Sequence, residues 1–334
     1  MSKLPLTLAC WNYDRTRALA DGSVTPDGIE LNYLNLPVEE TFFRMLRYRE
    51  FHAAELSLSS YTVSLFRENP PFIAIPVFPS RYFRHSCIYV HAGSGIREPH
   101  DLAGKRIGNP EYQMTAPVWI RGIMSDEYGV PVTSPTYLSG GEEQPGRSEK
   151  IALSLPPEIR TQSIPADKTL SQMIESGEID ALYTARAPST FGRSDTQSSN
   201  VLRLFPDYST VERAYYAKTK IFPIMHVIVV RRDVYRENPW VIQSLYKAFV
   251  EAQRRVYEDL RDTAALKFML PWLHAHVEET ERIMGTRDFW PYGLEPNRHV
   301  LSTFLRYSFE QGLSKRQLDP AELFAPESLE AFKI

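Results

Sequence analysis

Arg81, Phe83 and His85 are spaced by two, so a strand through residues 83–91 would put a guanidinium and an imidazole on one face and turn Arg84 and Ser86 to the other. An arginine grips a carboxylate through two parallel hydrogen bonds, which a lysine cannot do, so this pair could seat an acid beside a proton donor. The plainer alternative is a surface ion pair for Arg81 and a packed hinge position for His85. His226 is the one polar residue in the apolar run 222–230. It reads either as a general acid beside a ligand or as a hydrogen-bonded core histidine. Glu55 lies in a strand that leads into a Ser-rich turn. Strand carboxyl ends in open α/β sheets face the ligand crevice, so Glu55, Ser57 and Ser60 are placed to meet polar ligand groups; for Glu55 the alternative is a solvated strand-edge carboxylate.

Further candidates follow the ends of other elements. Residues 113–116 would open a helix that carries Trp119 and Arg121, with Gln113 and Thr115 at its start and Pro117 in its first turn. The free N–H groups there could face an anion, and the bland reading of Thr115 is an N-cap. Arg186 stands just past a strand that ends at Thr184 and is either a second carboxylate clamp or a solvated loop arginine. Trp11 and Asn12, after the first strand, could stack on a ring and hydrogen-bond to it. His274 and His276 form an HxH, but on a helix the two rings diverge by about 200°, and no carboxylate at metal spacing accompanies them. No metal site is read from the sequence.

Composition narrows the class. The 334 residues carry 38 Lys+Arg against 41 Asp+Glu, interleaved along most of the chain, which excludes an electrostatic nucleic-acid binder. The 16 glycines form neither GxGxxG nor GxxxxGK[ST], so an anion must be held by side chains or helix N-termini. Cys10 and Cys87 make no CxxC and no zinc pattern, which suits a reducing compartment. The first ten residues lack the apolar core of a signal peptide, and no uncharged stretch approaches the roughly 18 residues of a membrane helix. A cytoplasmic protein with no membrane partner is expected.

The elements that must position these residues alternate in the rhythm of an α/β sheet with parallel strands. Strands are expected at 4–9, 29–34, 53–58 and 72–77, with helices at 39–47 and 60–67. A strand at 83–91, a helix at 115–128, a long connection at 139–167, a helix at 168–176 and a strand at 179–184 follow, then a loop at 185–200. The run 222–230 reads as a strand buried on both faces. Helices are expected at 239–261, 264–273, 277–284 and 297–312. A chain this long favours two lobes: residues 1–91 with 222–334, and residues 92–221, the C-terminal helices packing back on the first.

Residues 101–108 and 177–181 resemble parts of the second lobe of type II periplasmic-binding-protein folds. A resemblance covering the chain from Trp11 to about Gly293 rests on 55–61 (ELSLSSY), 81–86 (RYFRHS), 108–116 (GNPEYQMTA), 119–122 (WIRG), 140–143 (GGEE), 222–226 (FPIMH) and 290–293 (WPYG). Together these segments are similar to the 4,5-dihydroxyphthalate decarboxylase family. The resemblance implies an α/β fold of two lobes joined by two crossing strands, with the ligand cleft between them, and a substrate that is a small aromatic dicarboxylate.

The implied reaction removes CO2 from a ring bearing two adjacent carboxylates and two hydroxyls, leaving 3,4-dihydroxybenzoate (protocatechuate). Each carboxylate is para to a hydroxyl that can absorb the charge of a protonated ring, so no cofactor is required. The protein supplies a proton donor (His85 or His226), an acceptor for the phenol proton (Glu55), and cations for the carboxylates (Arg81, Arg121, Arg186). Trp11, Asn12, Ser57, Ser60, Gln113, Thr115 and Thr184 are the remaining expected contacts. A solute-binding protein of the same fold that binds an aromatic acid without turnover is the alternative, and self-association is left open.

Overall fold

Every residue of the segment AAELS at 53–57 is buried, an acid among them, and this segment is the middle strand of the first of two sheets. The computed structural model describes residues 2–192 and 200–329. In chain order the elements are β1 (Leu4–Ala9), α1 (Asp14–Ala20), β2 (Ile29–Leu34), α2 (Val38–Tyr48), β3 (Ala53–Ser57), α3 (Leu58–Ser64), β4 (Phe72–Ile75), β5 (Ile88–His91), β6 (Arg106–Asn109), α4 (Thr115–Tyr128), β7 (Thr136–Ser139) and β8 (Arg160–Ser163). They continue with α5 (Leu170–Ser176), β9 (Ala181–Tyr183), β10 (Val201–Arg203), α6 (Tyr208–Thr219), β11 (His226–Arg231), α7 (Arg232–Glu237), α8 (Val241–Arg261), α9 (Leu273–Met284) and α10 (Arg298–Glu310).

The chain forms two compact units. The first runs to Arg81, resumes over Tyr216–Ser302 and again from Leu318; the second comprises Tyr82–Tyr215 and Thr303–Gln317. The boundary expected at residue 91 therefore falls ten residues earlier, because β5 pairs with β9 and β10 and carries the residues before it into the second sheet. The C-terminal helices are divided as well. α8 packs on α1 in the first unit, whereas Phe304 and Tyr307 of α10 lie against Trp119 of α4 in the second.

The first sheet has the order β2-β1-β3-β11-β4. β1 is parallel to β2 and β3, and β11 runs antiparallel to both β3 and β4. Four consecutive buried apolar residues, 227–230, suit a strand flanked on both sides. The expected strand over 222–230 forms only from His226, since Pro223 has no N–H to offer a ladder. The 21-residue helix α8 buries Val241, Ile242, Leu245, Ala248, Phe249 and Ala252 along one stripe. The Tyr61 hydroxyl, fully buried in α3, accepts from the Ala74 amide at 3.1 Å and donates to the Leu323 carbonyl, which fastens the C-terminal segment to this unit.

The second sheet has the order β10-β5-β9-β6-β7-β8, with β9, β6, β7 and β8 parallel and β5 reversed. The strand expected over 83–91 begins only at Ile88, because residues 85–87 coil into a 3₁₀ turn. Arg81 and His85 therefore do not share a strand face; Arg81 makes an isolated bridge to Ile224 instead. The expected 264–273 helix does not form, and α9 starts at Leu273, past Pro271, which disfavours helix in the residue before it. Of the expected loop 185–200, residues 193–199 lie outside the described residues. Among the described residues, no helix is long and apolar enough to cross a membrane.

Gly122, inside α4, has the Tyr307 ring where a side chain would go: an added Cβ would fall 2.1 Å from a ring carbon. Alanine normally stabilises a helix interior by roughly 1 kcal/mol relative to glycine. Here Gly122→Ala is expected to lower stability by about 1–3 kcal/mol, as overpacked cores do. Chemical denaturation of the variant checks it, and a gain in stability would contradict the packing described.

Candidate active site at the carboxyl edge of the first sheet

Because β1, β2 and β3 are parallel, their carboxyl ends emerge along one edge. β11 runs the other way, so its first residue, His226, arrives at that same edge as the Cα partner of Ser57. Side chains alternate along a strand, so Glu55, two residues before Ser57, shares a face with His226. Cys10 and Trp11 follow β1, whose pairing with β3 through Ala9 and Ala54 brings them beside Glu55.

Four groups converge on the buried Glu55 carboxylate. Oε1 accepts from the Tyr13 hydroxyl at 2.6 Å and lies 2.6 Å from His226 Nδ1. Oε2 accepts from the Trp11 amide at 3.1 Å and from Cys10 Sγ at 3.5 Å. Burial alone would push the carboxyl up, but the opposing imidazole of His226, its hydrogen bond, and those from Tyr13 and Trp11 outweigh it and hold Glu55 below the usual carboxylate range. An ionised Glu55 only accepts, so Nδ1 of His226 carries the proton between them. The His226 side chain keeps 16% of its surface exposed, whereas Glu55 keeps none. The edge of the imidazole packs on Phe42, with centroids 4.9 Å apart.

The neighbours of this pair are held as neutral donors. Burial, then the charge of Glu55, pushes the Tyr13 hydroxyl and the Cys10 thiol above their ordinary values. Tyr13 is fixed in turn by Arg15, whose guanidinium sits 4.3 Å from the Tyr13 ring and 4.2 Å from the Trp290 ring while Nε donates to the Pro79 carbonyl. Tyr13 is a member of the site that the sequence reading missed. Its sole signal was its position three residues after Cys10, and its partner lies 42 positions away.

Of the other expected residues in this unit, Trp11 is 42% exposed and Asn12 is exposed at the same edge. The Ser57 hydroxyl caps α3 by accepting from the Ser60 amide at 3.3 Å, and both serines are buried. Arg81 is buried among neutral acceptors: it donates to the carbonyls of Phe222 and Pro291 and to Asn297 Oδ1. Burial pulls its guanidinium down to about 10. It ties three segments of the first unit together, and is not placed as a free clamp.

The second unit holds the rest. His85 is 1% exposed, ringed edge-on by Tyr128, Phe205 and Tyr215, and among the described residues neither ring nitrogen has a hydrogen-bond partner. Burial pulls its imidazole down to about 4. Arg121 is also 1% exposed; it stacks 3.8 Å from the Tyr112 ring centroid and donates to Gln311 Oε1 and the Tyr112 carbonyl. It braces the interior, because α4 is buried continuously from Thr115 to Met124. Thr115 is the first helical residue, Met114 taking the N-cap position without a side-chain bond. Gln113 Nε2 donates to Glu149 and to the Ile151 carbonyl. Thr184 donates to Glu142 Oε2 at 2.6 Å, and Arg186 is exposed two residues later. His274 and His276 lie on α9, and among the described residues no group of three or more His, Cys, Asp or Glu side chains is placed to hold a metal ion.

No family model matches the chain. A 4,5-dihydroxyphthalate decarboxylase from Comamonas testosteroni is 45% identical over 334 residues, 100% of both chains. Another from Pseudomonas putida is 45% identical over 203 residues, 61% of this chain and 79% of its own. Among solved structures, the periplasmic aliphatic sulphonate binding protein SsuA from Escherichia coli gives a TM-score of 0.52 at 12% identity, covering 97% of this chain and 98% of that one. The putative SsuA of Methylobacillus flagellatus KT gives 0.50 at 13%, covering 98% and 93%. These two establish an α/β periplasmic-binding-protein-like fold, and the full-length identity to the first relative shows that the chain belongs to the 4,5-dihydroxyphthalate decarboxylase family.

Proposed function

We propose that this protein is a carboxy-lyase that converts 4,5-dihydroxyphthalate into 3,4-dihydroxybenzoate and CO2, with His226 as the proton donor. The observation that carries the assignment of the donor is the 2.6 Å contact between His226 Nδ1 and a buried carboxylate held below its usual range. The proton acceptor is a ring carbon, and the electrons it offers are supplied by the hydroxyl para to it. Nε2–H of the imidazolium gives its proton to the carbon bearing the departing carboxylate; the ring then carries the positive charge, which the para oxygen absorbs. The C–C bond breaks, its electron pair restores the aromatic ring, and CO2 leaves. Solvent returns a proton to Nε2. Glu55 orients the imidazole through the Nδ1 contact, while Tyr13, Cys10 and the Trp11 amide hold Glu55 in place.

The ring supplies its own electron sink, which is why the reading needs no cofactor. His85 is a poor donor by comparison: burial keeps its imidazole uncharged near neutrality, so it lacks the acidic proton of an imidazolium. Two buried free thiols, Cys10 and Cys87, support a reducing compartment such as the cytoplasm.

Chelator-treated protein incubated with 4,5-dihydroxyphthalate is expected to release CO2 and protocatechuate in equal amounts; tight binding without product would favour the receptor alternative. His226→Gln should lower kcat by about 10²- to 10⁴-fold while substrate still binds, the usual range for a positioned acid. His85→Phe should retain near wild-type turnover, and its loss together with an active His226→Gln would reverse the assignment.

A second expectation concerns pH. The folded-state pKa of His85 lies near 4, below the roughly 6.5 of an unfolded chain, so between these values the unfolded state binds the extra proton. His85 therefore costs stability progressively as pH falls below about 6.5. Relative to wild type, His85→Phe should gain about 1–2 kcal/mol on going from pH 7.5 to pH 5. Denaturation midpoints at the two pH values measure it, and parallel pH profiles would show that the imidazole is not buried neutral.

A further inference from the structure

At the carboxyl ends of the parallel strands of the second sheet, several buried polar side-chain atoms have no partner among the described residues. Asn109 ends β6 and Ser139 ends β7, and the two are Cα partners in the ladder. β9 flanks β6 on the other side, with Leu182 opposite Gly108, so Thr184 emerges at the same edge. Asn109 is fully buried; its Nδ2 donates to the Leu138 carbonyl at 3.3 Å, and its Oδ1 has no partner among the described residues. Glu142 accepts from Thr184 through Oε2, and its Oε1 is buried and has no partner among the described residues. Ser139 Oγ is in the same condition. A buried acceptor left unmet costs about 1–3 kcal/mol, so several at one strand edge call for donors from outside the chain.

The loop that presents Glu142 is built rigidly. A Cβ at Gly141 would fall 1.6 Å from the Gln144 carbonyl oxygen, so only glycine permits this path. The carbonyls of Gly141 and Glu142 accept from the amides of Leu170 and Ser171 at 2.8 and 3.1 Å. Glu143 is taken up by Ser171 Oγ and by both the amide and the hydroxyl of Ser189. Of the two adjacent acids, Glu142 alone keeps an oxygen without a partner. Burial pushes its carboxyl up to about 7, with Thr184 opposing, Glu143 adding to the rise, and Arg147 and Arg186 opposing.

We propose that this edge of the second unit is a subsite for the vicinal hydroxyls of a dihydroxylated aromatic acid, with Glu142 Oε1 and Asn109 Oδ1 accepting from the two phenolic O–H groups and Ser139 Oγ beside them. Asn109 Oδ1 and an ionised Glu142 Oε1 offer a carboxylate no donor, whereas two neighbouring phenol donors match them. The assignment rests on the decarboxylase reading for its ligand class, and it makes the second unit the part of the chain that distinguishes a catechol from an unsubstituted ring.

Calorimetric titration of the full chain with protocatechuate and with benzoate, which has the same carboxylate and no hydroxyls, tests the subsite without turnover. Wild type should prefer protocatechuate by about tenfold to a hundredfold, as expected for paired buried acceptors. Glu142→Ala and Ser139→Ala should each shrink that preference severalfold while leaving benzoate affinity and the melting temperature close to wild type. A preference unchanged in both folded variants, as when internal water alone meets these atoms, would overturn the proposal. So would a wild type that binds both ligands equally. Failure of wild type to release CO2, with the preference intact, would reject the decarboxylase reading and leave the subsite standing.

Discussion

The first unit is organised around one buried charge. Moving a carboxylate out of water costs several kcal/mol unless its lone pairs and its charge are both met. Glu55 sits in the centre of a strand with no exposed residue, and its burial is sustained only because Tyr13, Trp11, Cys10 and His226 all reach it. Each partner depends on topology. β1 must end beside β3 to bring Cys10, Trp11 and Tyr13 within reach, and β11 must run antiparallel to bring its first residue to the same edge. A parallel β11 would place His226 at the opposite end of the sheet, leaving an uncompensated carboxylate. The reversed strand in an otherwise parallel neighbourhood is thus tied to the contact between Glu55 and His226.

How much of this the sequence made legible depended on whether a feature was local. β1, β2 and α4 occupy the residues that alternation and helical spacing indicate, since strand and helix periods are read within a few positions. Glu55 and His226 stood out singly, each an ionisable group in an apolar strand. Nothing in the sequence joined them, because their pairing spans 171 positions and follows from the sheet order. The pairing of Arg81 with His85 failed for a local reason that periodicity cannot detect: a single 3₁₀ turn removes the alternation on which the argument relied. Arg121 was misread because α4 is buried over ten consecutive residues, so a charge on it points inward whichever face it takes.

The two buried arginines share a logic. Arg81 and Arg121 both meet carbonyl and amide oxygens and stack on aromatic rings, with no carboxylate among their hydrogen-bond acceptors in the described residues. A guanidinium disperses its charge over a plane with five donors, so it can serve as a rigid multivalent connector where a lysine would demand a counter-ion. Positive residues near expected ligand positions are therefore weak indicators of anion binding in a chain with an aromatic content of 12%. Such a residue is as readily enclosed by rings as exposed to a ligand.

A fold shared with sulphonate-binding proteins at 12–13% identity carries no chemistry of its own. The demands of this reaction explain why such a scaffold suffices. An aromatic ring with a hydroxyl para to the departing carboxylate already contains its electron sink, so the protein need not bring one. What it must add is a proton at one atom and fixed hydrogen-bonding groups elsewhere, both of which strand edges can provide. The Glu55–His226 pair sets the imidazole 2.6 Å from a carboxylate held below its usual range. In the mechanism proposed above, the step from holding an aromatic acid to decarboxylating it reduces to making one strand edge a proton donor, through two residues on adjacent strands and the buried hydrogen bonds that keep Glu55 ionised.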